Sequence, residues 1–301
     1  MSPSSGLLLV DKDRGPTSHD VVAAVRRLLG ERRVGHAGTL DPMATGLLVL
    51  GVGTATRLLR FAQAGTKRYT GSVRLGVATD SLDADGVVTG EAPVPELGAE
   101  KLHAAVSTFV GTTSQVPPMV SALKVGGERL HELARRGVEV ERAPREITIT
   151  SFWVTDSDDA STLLFDVTCS PGTYVRVLMS DLAQRLGTLG HLTSLRREAS
   201  GRFGVDDALS LDRVAERVAR GDTVLRPTAD LVAELAAITL NDDEERRVRH
   251  GQSVGLDATV RGEEVAALDA HGALVAVLRR RGGVGHPELV MAETPAAPPV
   301  G

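Results

Sequence analysis

The stretch Gly35-His36-Ala37-Gly38-Thr39-Leu40-Asp41-Pro42-Met43-Ala44-Thr45-Gly46-Leu47-Leu48 organises the chain. Its three glycines mark backbone that turns sharply or comes close to a ligand. Pro42 biases Asp41 away from the helical region, which favours an extended or turn conformation. Residues 47–52 are apolar throughout and predict a buried strand. A single carboxylate thus sits on a stiff loop at the mouth of a buried element, a common place for a catalytic acid. Composition alone leaves a second reading open, an Asp-Pro turn that only joins two core elements.

The chain has 301 residues, 42% of them hydrophobic and 24% charged, with a formal net charge of −5. That length favours two domains, and the composition is ordinary for a soluble globular protein. A single cysteine, Cys169, excludes an intramolecular disulfide framework and fits a reducing cytosol, so a cytoplasmic location is expected. Residues 7–10 are apolar, but no basic segment precedes them, so no signal peptide is predicted. The longest uncharged run, 42–56, is too short and too glycine-rich to span a bilayer. The net charge argues mildly against nucleic acid, but the distribution does not. Arg26, Arg27, Arg32, Arg33, Arg57, Arg60, Lys67, Arg68 and Arg74 outnumber the acids of the first 75 residues, and Arg196, Arg197 and Arg202 form a second cluster. The acids concentrate at 206–245. Either a basic working face or ordinary solvated helix faces would give this pattern.

Around the loop, Leu7 to Val10 predicts a strand. Thr17 to Leu29 predicts a helix, with capping-box spacing at Thr17 and Asp20 and a stop at Gly30. A short helix capped by Thr54 runs to about Gln63, and Lys67 to Leu75 alternates as a strand does. The segment 79–86 is a polar turn; it fails the EF-hand pattern at Ser81 and Ala92. Glu100 to Val110 is helical, and prolines exclude regular structure at 115–119. Lys124 to Arg145 is polar and basic, with a short helix at 128–136, and reads as a mobile lid. Ile147–Val154 and Leu163–Cys169 are strands, Tyr174–Leu186 is an amphipathic helix, and Leu211–Val218 is a helix capped by Ser210. Residues 221–237 read as a linker with some helical content. A short helix near 242–249 and strands near 263–269 and 273–280 then suggest a small β-rich domain. The last residues, rich in Ala and Pro, are expected to be disordered. No H-E-x-x-H, paired cysteine ligands, P-loop or Rossmann fingerprint is present.

The Gly35–Leu48 stretch resembles the active-site motif of the TruB family of pseudouridine synthases, the bacterial tRNA pseudouridine-55 synthases. The family block G-H-x-G-T-L-D-P-x-A-x-G-x-L is met at every fixed position. Matching stretches extend to about residue 205, and a weaker match covers the C-terminal part. The resemblance implies an α+β fold: a mixed, largely antiparallel sheet flanked by helices, the pseudouridine synthase fold, with a mobile thumb insertion and a small C-terminal β-rich, PUA-like domain. The division that follows is a catalytic domain at 1–225 with its thumb at about 117–145, a linker at 226–237, a PUA-like RNA-binding domain at 238–292 and a disordered tail at 293–301.

Residue by residue, the resemblance implies that Asp41 is the catalytic aspartate and that His36 takes the place of bases displaced from the RNA stack. Gly172-Thr173-Tyr174-Val175-Arg176 is similar to a G-T-Y-[IV]-R block whose arginine pairs with that aspartate. Lys67-Arg68-Tyr69 is similar to a K-x-Y block, which makes Tyr69 a ring to stack on uracil. Tyr174 and Leu195 are further substrate-binding positions. Val120 and His131 stand where tyrosines are common, so no stacking role carries over to them. Without the resemblance, Arg176 reads as a solvated helix residue, Tyr69 and Leu195 as core and His36 as an idle loop residue.

The implied reaction converts the uridine at position 55, in the T-loop of tRNA, to pseudouridine. The C1′–N1 bond breaks, the base turns, and C1′ joins C5. This isomerisation is redox-neutral, so no metal, nucleotide or other cofactor is expected. The expected partner is the T-stem-loop of tRNA, with no membrane, no guide RNA and no obligate protein partner. The reaction needs one ionised carboxylate, acting either as nucleophile or as base. In a dry pocket that carboxylate stays ionised only beside a cation, and Arg176 is the candidate. Three rivals remain at this level: a tRNA-annealing protein in which catalysis is secondary, a guide-dependent synthase of the archaeal and eukaryotic kind, and a hydrolase that releases uracil.

Overall fold

The computed structural model describes residues 5–121, 123–130, 133 and 136–291. His131 and the tail 293–301 lie outside the described residues. In chain order the first part holds β1 (Gly6–Lys12), helix α1 (Ser18–Leu29), β2 (Val34–His36), β3 (Thr45–Val52), a 3-10 turn at Gly53–Leu58 running into α2 (Leu59–Ala64), and β4 (Lys67–Leu75). A small ribbon, β5 (Val77–Thr79) and β6 (Val88–Glu91), precedes α3 (Ala99–Ser107) and β7 (Gly111–Gln115). A tight hairpin, β8 (Lys124–Val125) and β9 (Glu128–Arg129), leads to β10 (Arg145–Asp156), β11 (Thr162–Cys169), α4 (Val175–Arg185), β12 (Gly190–Ser200) and β13 (Phe203–Gly204). These strands build one nine-stranded sheet in the order β1-β3-β12-β4-β11-β10-β7, with β2 on β3 and β13 on β12. All its ladders are antiparallel except the short parallel contact of β12 with β3, at Arg196–Thr45 and Arg197–Gly46. The sheet is mixed and largely antiparallel, with helices against it.

Burial explains the two kinds of strand sequence. β1 and β3 read as unbroken apolar runs because both of their faces are covered. Leu8, Val10, Leu48 and Leu50 pack against α1 and the helix α5 (Leu211–Ala219), while Leu7, Leu9, Leu47 and Val49 pack on the opposite side. β4 and β11 alternate instead. Tyr69, Val73, Phe165 and Val167 face the core under α3 and α4, and the other face carries polar pairs such as Arg68–Asp166 and Thr70–Glu198. α1 has the predicted capping box, Thr17 with Asp20, and ends at Gly30 with φ 63°.

Several elements differ from expectation. The helix at 54–63 is a 3-10 turn followed by an α-helix, and Thr54 is not its cap; the Thr54 N–H donates to Ser5 Oγ, while Gly53 makes the turn at φ 62°. Glu128 and Arg129 are extended rather than helical, because the diglycine Gly126-Gly127, both at positive φ, closes a hairpin there. Gln115 belongs to a strand, not to the irregular proline segment. The largest omission is β12, a central strand for which the sequence predicts no element. Among the described residues no helix is long and apolar enough to cross a membrane.

The C-terminal part is a five-stranded sheet of β14 (Ala236–Thr239), β15 (Val254–Gly255), β16 (Glu264–Leu268), β17 (Leu274–Arg281) and β18 (Val284–Val290), in the order β14-β16-β17-β18-β15. Helix α6 (Asp242–Arg249) packs against it and carries an Asn241–Glu244 capping box. This β-rich unit fits a PUA-like domain. Its Ala266, Leu274, Val277 and Met291 share one core with Leu7, Leu9 and Leu47 of the larger sheet, through Leu231 and Val232. Those two residues lie in a 3-10 turn, Thr228–Val232, within the span read as a linker.

Candidate active site

The Asp41 loop is pinned by buried polar side chains that lie outside it. Arg197, 1% exposed, donates from Nε to Leu47 O at 2.7 Å and from its terminal nitrogens to Gly38 O and Thr39 O. Ser18, in the first turn of α1, exchanges two hydrogen bonds with the Leu40 backbone. Lys12 is buried and donates to Asp13 O and Pro16 O at 2.9 Å, with Pro42 O at 3.4 Å. Burial holds the Lys12 ammonium below its ordinary value, although the nearby Asp13 and Asp41 carboxylates favour its charge. Buried carbonyls need such donors, and here they fix the loop. Asp41 opens a turn, with Ala44 N–H donating to Asp41 O at 3.0 Å, as the following proline favours. Gly38 and Gly46 sit at φ 103° and 97°, and a Cβ on Gly46 would lie 2.4 Å from Arg197 O.

Asp41 Oδ2 lies 3.0 Å from Arg176 Nε. Arg176 stands in the first turn of α4, is 4% exposed, and is committed on every side. Its terminal nitrogens donate to Ser81 O at 2.8 Å and Val120 O at 2.9 Å, and one of them lies 3.4 Å from Asp83 Oδ2. One guanidinium therefore holds two carboxylates. Asp83 is buried, whereas the Asp41 side chain keeps 39% of its surface exposed. Burial pushes the Asp41 carboxyl above the usual carboxylate range; the Arg176 guanidinium pulls it back, and Asp83 adds to the rise.

Asp41 and Arg176 line a cavity of about 290 Å³, together with Tyr69, Tyr174, Leu195, Lys67 and Arg197. That is at the small end for ligand sites and suits one nucleobase rather than a base pair. Tyr69 and Leu195 are buried on the sheet face beneath it. Burial raises the Tyr69 hydroxyl, which Arg197 partly offsets. Burial lowers Lys67 to about 8; its ammonium donates to Gln63 O and Gly65 O, both at 2.6 Å. Tyr174 precedes α4, and its peptide is clamped by Gln115, which accepts from Tyr174 N–H at 2.8 Å and donates to Tyr174 O at 3.1 Å.

Of the sequence-predicted site residues, five share this cavity and His36 does not line it. The His36 ring meets His19 edge-on, with centroids 5.4 Å apart. Its Nδ1 is buried without a hydrogen-bond partner, and burial, with His19 and Arg197, keeps the imidazole below its ordinary value. Val120 reaches the site through its carbonyl alone. Asp83, Lys12, Ser18, Gln115 and Arg197 were not singled out as site residues. Arg197 is no part of a solvent-facing basic cluster, because its charge is spent on loop carbonyls. Several other arginines of the supposed basic face are also committed: Arg196 to Asp11, Arg68 to Asp166, and Arg60 to Glu264. No group of three or more metal-ligating side chains is assembled among the described residues.

The family model for the N-terminal domain of TruB family pseudouridylate synthase matches residues 26–175. The chain is 42% identical to the tRNA pseudouridine synthase B of Thermobifida fusca, over 96% of this chain and 99% of that protein. It is 44% identical to that of Rhodococcus jostii, over 92% and 91%, and 39% identical to that of Streptococcus pneumoniae, over 95% and 99%. Among solved structures, a chain of a Cbf5–Nop10–Gar1 complex superposes with a TM-score of 0.72 at 24% identity, covering 95% of this chain and 84% of that one. A chain of an H/ACA RNP bound to a substrate RNA gives 0.72 at 21% identity. The structural likenesses establish the fold, and the full-length sequence likenesses go further: the chain belongs to the TruB family of pseudouridylate synthases and is an RNA pseudouridine synthase.

Proposed function

We propose that this protein isomerises uridine 55 in the T-loop of tRNA to pseudouridine, with Asp41 as its one catalytic carboxylate. The observation that carries the reading is the Asp41–Arg176 ion pair, at 3.0 Å, in a cavity sized for a single base. Arg176 keeps Asp41 ionised in a site whose burial opposes the charge. Asp83 and the two carbonyls hold the guanidinium in place, and Asp41 Oδ1 accepts no hydrogen bond among the described residues. That oxygen is available to attack C1′ or to take a proton from the ribose. The target base leaves its stack to reach the cavity, where Tyr69 and Leu195 form its walls and His36 fills the place it vacated. The reaction breaks C1′–N1 and makes C1′–C5; C5 loses its proton to water and N1 takes one up, so atoms and electrons balance with no cofactor. The substrate is tRNA alone, without guide RNA or an obligate protein partner, in the cytoplasm. The thumb at about 117–145 closes over the RNA and the unit at 238–292 binds it, with 1–225 as the catalytic domain and 226–237 between them.

Asp41→Asn tests the reading. The amide keeps the shape but can serve neither as nucleophile nor as base. Conversion of unmodified tRNA is expected to disappear, while tRNA affinity stays within a few fold and any tRNA-annealing activity persists. Pseudouridine formed at more than a trace by this variant would remove Asp41 from the chemistry.

A further inference from the structure

A buried ammonium is costly unless a countercharge or a full set of acceptors holds it. Lys67, at the start of β4, is 6% exposed and lines the active cavity. It stands two residues before Tyr69 on one strand, so both side chains leave the same face of the sheet. Its Nζ donates to Gln63 O and Gly65 O, both at 2.6 Å. Among the described residues its third N–H meets no acceptor and no carboxylate pairs with it.

The neighbouring strands supply no countercharge either. Cys169 of β11 stands directly opposite in one ladder, and burial pushes its thiol up to about 11, so it is neutral at physiological pH. Ser200 of β12 stands opposite in the other ladder, and Arg197 of the same strand is a cation. The remaining titratable groups of the cavity are Asp41, Arg176, Tyr69 and Tyr174. Asp41 is held by Arg176 at 3.0 Å, and burial keeps the Tyr69 hydroxyl protonated. Burial, with Arg197, brings Lys67 down to about 8, which still leaves it charged near neutrality. The cavity therefore holds an ammonium with a free N–H and no partner anion.

The proposed reaction creates an anion in that cavity. When C1′–N1 breaks, the bonding pair stays with uracil and spreads over N1, O2 and O4, whether Asp41 attacks C1′ or removes a ribose proton. Arg176 is committed to two carboxylates and two carbonyls, and Arg197 to the carbonyls of the Asp41 loop. We propose that Lys67 is a further catalytic residue, whose ammonium holds the detached uracil as its anion between cleavage of C1′–N1 and formation of C1′–C5. A charge fixed in advance where charge develops is worth most in a water-poor site. The pair that leaves C1′ with N1 returns to C1′ from C5; the C5 proton goes to water, N1 takes one up from water, and Lys67 keeps its own. This inference rests on the reading of the cavity as the place of the target uracil.

The experiment compares the full chain as wild type, Lys67→Met and Lys67→Arg, on T-stem-loop RNA carrying uridine or 5-fluorouridine at the target. Fluorine at C5 makes the departing uracil a weaker base, so its anion needs less help. Single-turnover loss of the intact target nucleoside reads glycosidic cleavage on both. Lys67→Met is expected to lose about a hundredfold on uridine but less than about tenfold on 5-fluorouridine, with RNA affinity within a few fold. Equal losses on the two substrates would make Lys67 a clamp for the Gln63–Gly65 turn and overturn the proposal. Wild-type kcat/KM is expected to fall as pH rises through about 8, where Lys67 loses its proton. Arginine stays charged there, so the limb is expected to vanish in Lys67→Arg. Should Lys67→Met fail to fold, this profile decides: a limb absent from the wild type, or one that survives in Lys67→Arg, would overturn the proposal. An active Asp41→Asn would discard the reading of the cavity itself, whereas loss of the fluorine and pH signatures discards Lys67 alone.

Discussion

At the scale of single residues, the site is a guanidinium shared by two carboxylates of unequal exposure. Arg176→Lys keeps the charge but cannot reach Asp41, Asp83 and two carbonyls together, so kcat is expected to fall by about a hundredfold or more. Near wild-type turnover would show that Arg176 is not the partner of Asp41. The pH dependence has a defined sign. The proposed mechanism needs ionised Asp41, and burial sets its carboxyl above the ordinary carboxylate range, so kcat/KM is expected to fall as pH drops through that raised value. Asp83 is one cause of the rise. In Asp83→Asn the acid limb therefore moves to lower pH, while kcat falls because Arg176 is less firmly held. A limb that stays in place would mean that Asp83 does not act on Asp41. Asp41 and Arg176 were legible because each lies inside a long, specific motif. Asp83 was not: Thr79 to Gly86 has the composition of an ordinary polar turn, and no local pattern says that one of its acids turns inward. Lys12 and Arg197 were missed for a related reason. Charged side chains are read as solvated unless a partner is known, and their partners are backbone carbonyls, those of Arg197 some 150 residues away in sequence.

At the scale of elements, periodicity and capping located α1, β4, β10, β11 and α4 to within a few residues. It failed on β12. That strand has few apolar residues, Leu192 and Leu195 among them, and it carries Arg196 and Arg197, which resemble a solvent-facing cluster. It is central because Arg197 serves the Asp41 loop and because β3 meets it at two residue pairs. Gly46 is where that meeting is tightest. Gly46→Ala would place a methyl 2.4 Å from Arg197 O at a φ of 97°. Denaturant unfolding is expected to show a loss of more than about 1 kcal/mol. Activity should fall with it, as the loop loses its hold. Wild-type stability and turnover in Gly46→Ala would show that the β3–β12 contact does not position Asp41. The stretch around 124–145 was the other weakly legible part. Its diglycine hairpin and the buried Leu130 and Leu133 do not announce themselves in a polar, basic stretch.

At the scale of the whole molecule, composition and spacing predicted a small β-rich unit after a body of mixed strands and helices, but not how the two are joined. The joint is apolar in its centre, where Leu231 and Val232 connect Leu7 and Leu47 to Val277 and Met291. It is charged at its edge, where Arg60 meets Glu264 and Glu288. Such long-range packing leaves no periodic trace in a sequence. The joint gives the larger sheet and the C-terminal unit one continuous core. An isomerisation on this protein, as opposed to hydrolysis or annealing, is read out by tritium release. Joining C1′ to C5 puts the sugar on a carbon that already bears a hydrogen, so that hydrogen must leave as a proton. Unmodified tRNA labelled with tritium at C5 of its uridines should release one equivalent of label to water, unaffected by a chelator. A hydrolase would leave the label on free uracil, and an annealing protein would leave it on the RNA. No release from folded tRNA that the protein demonstrably binds would contradict the claim.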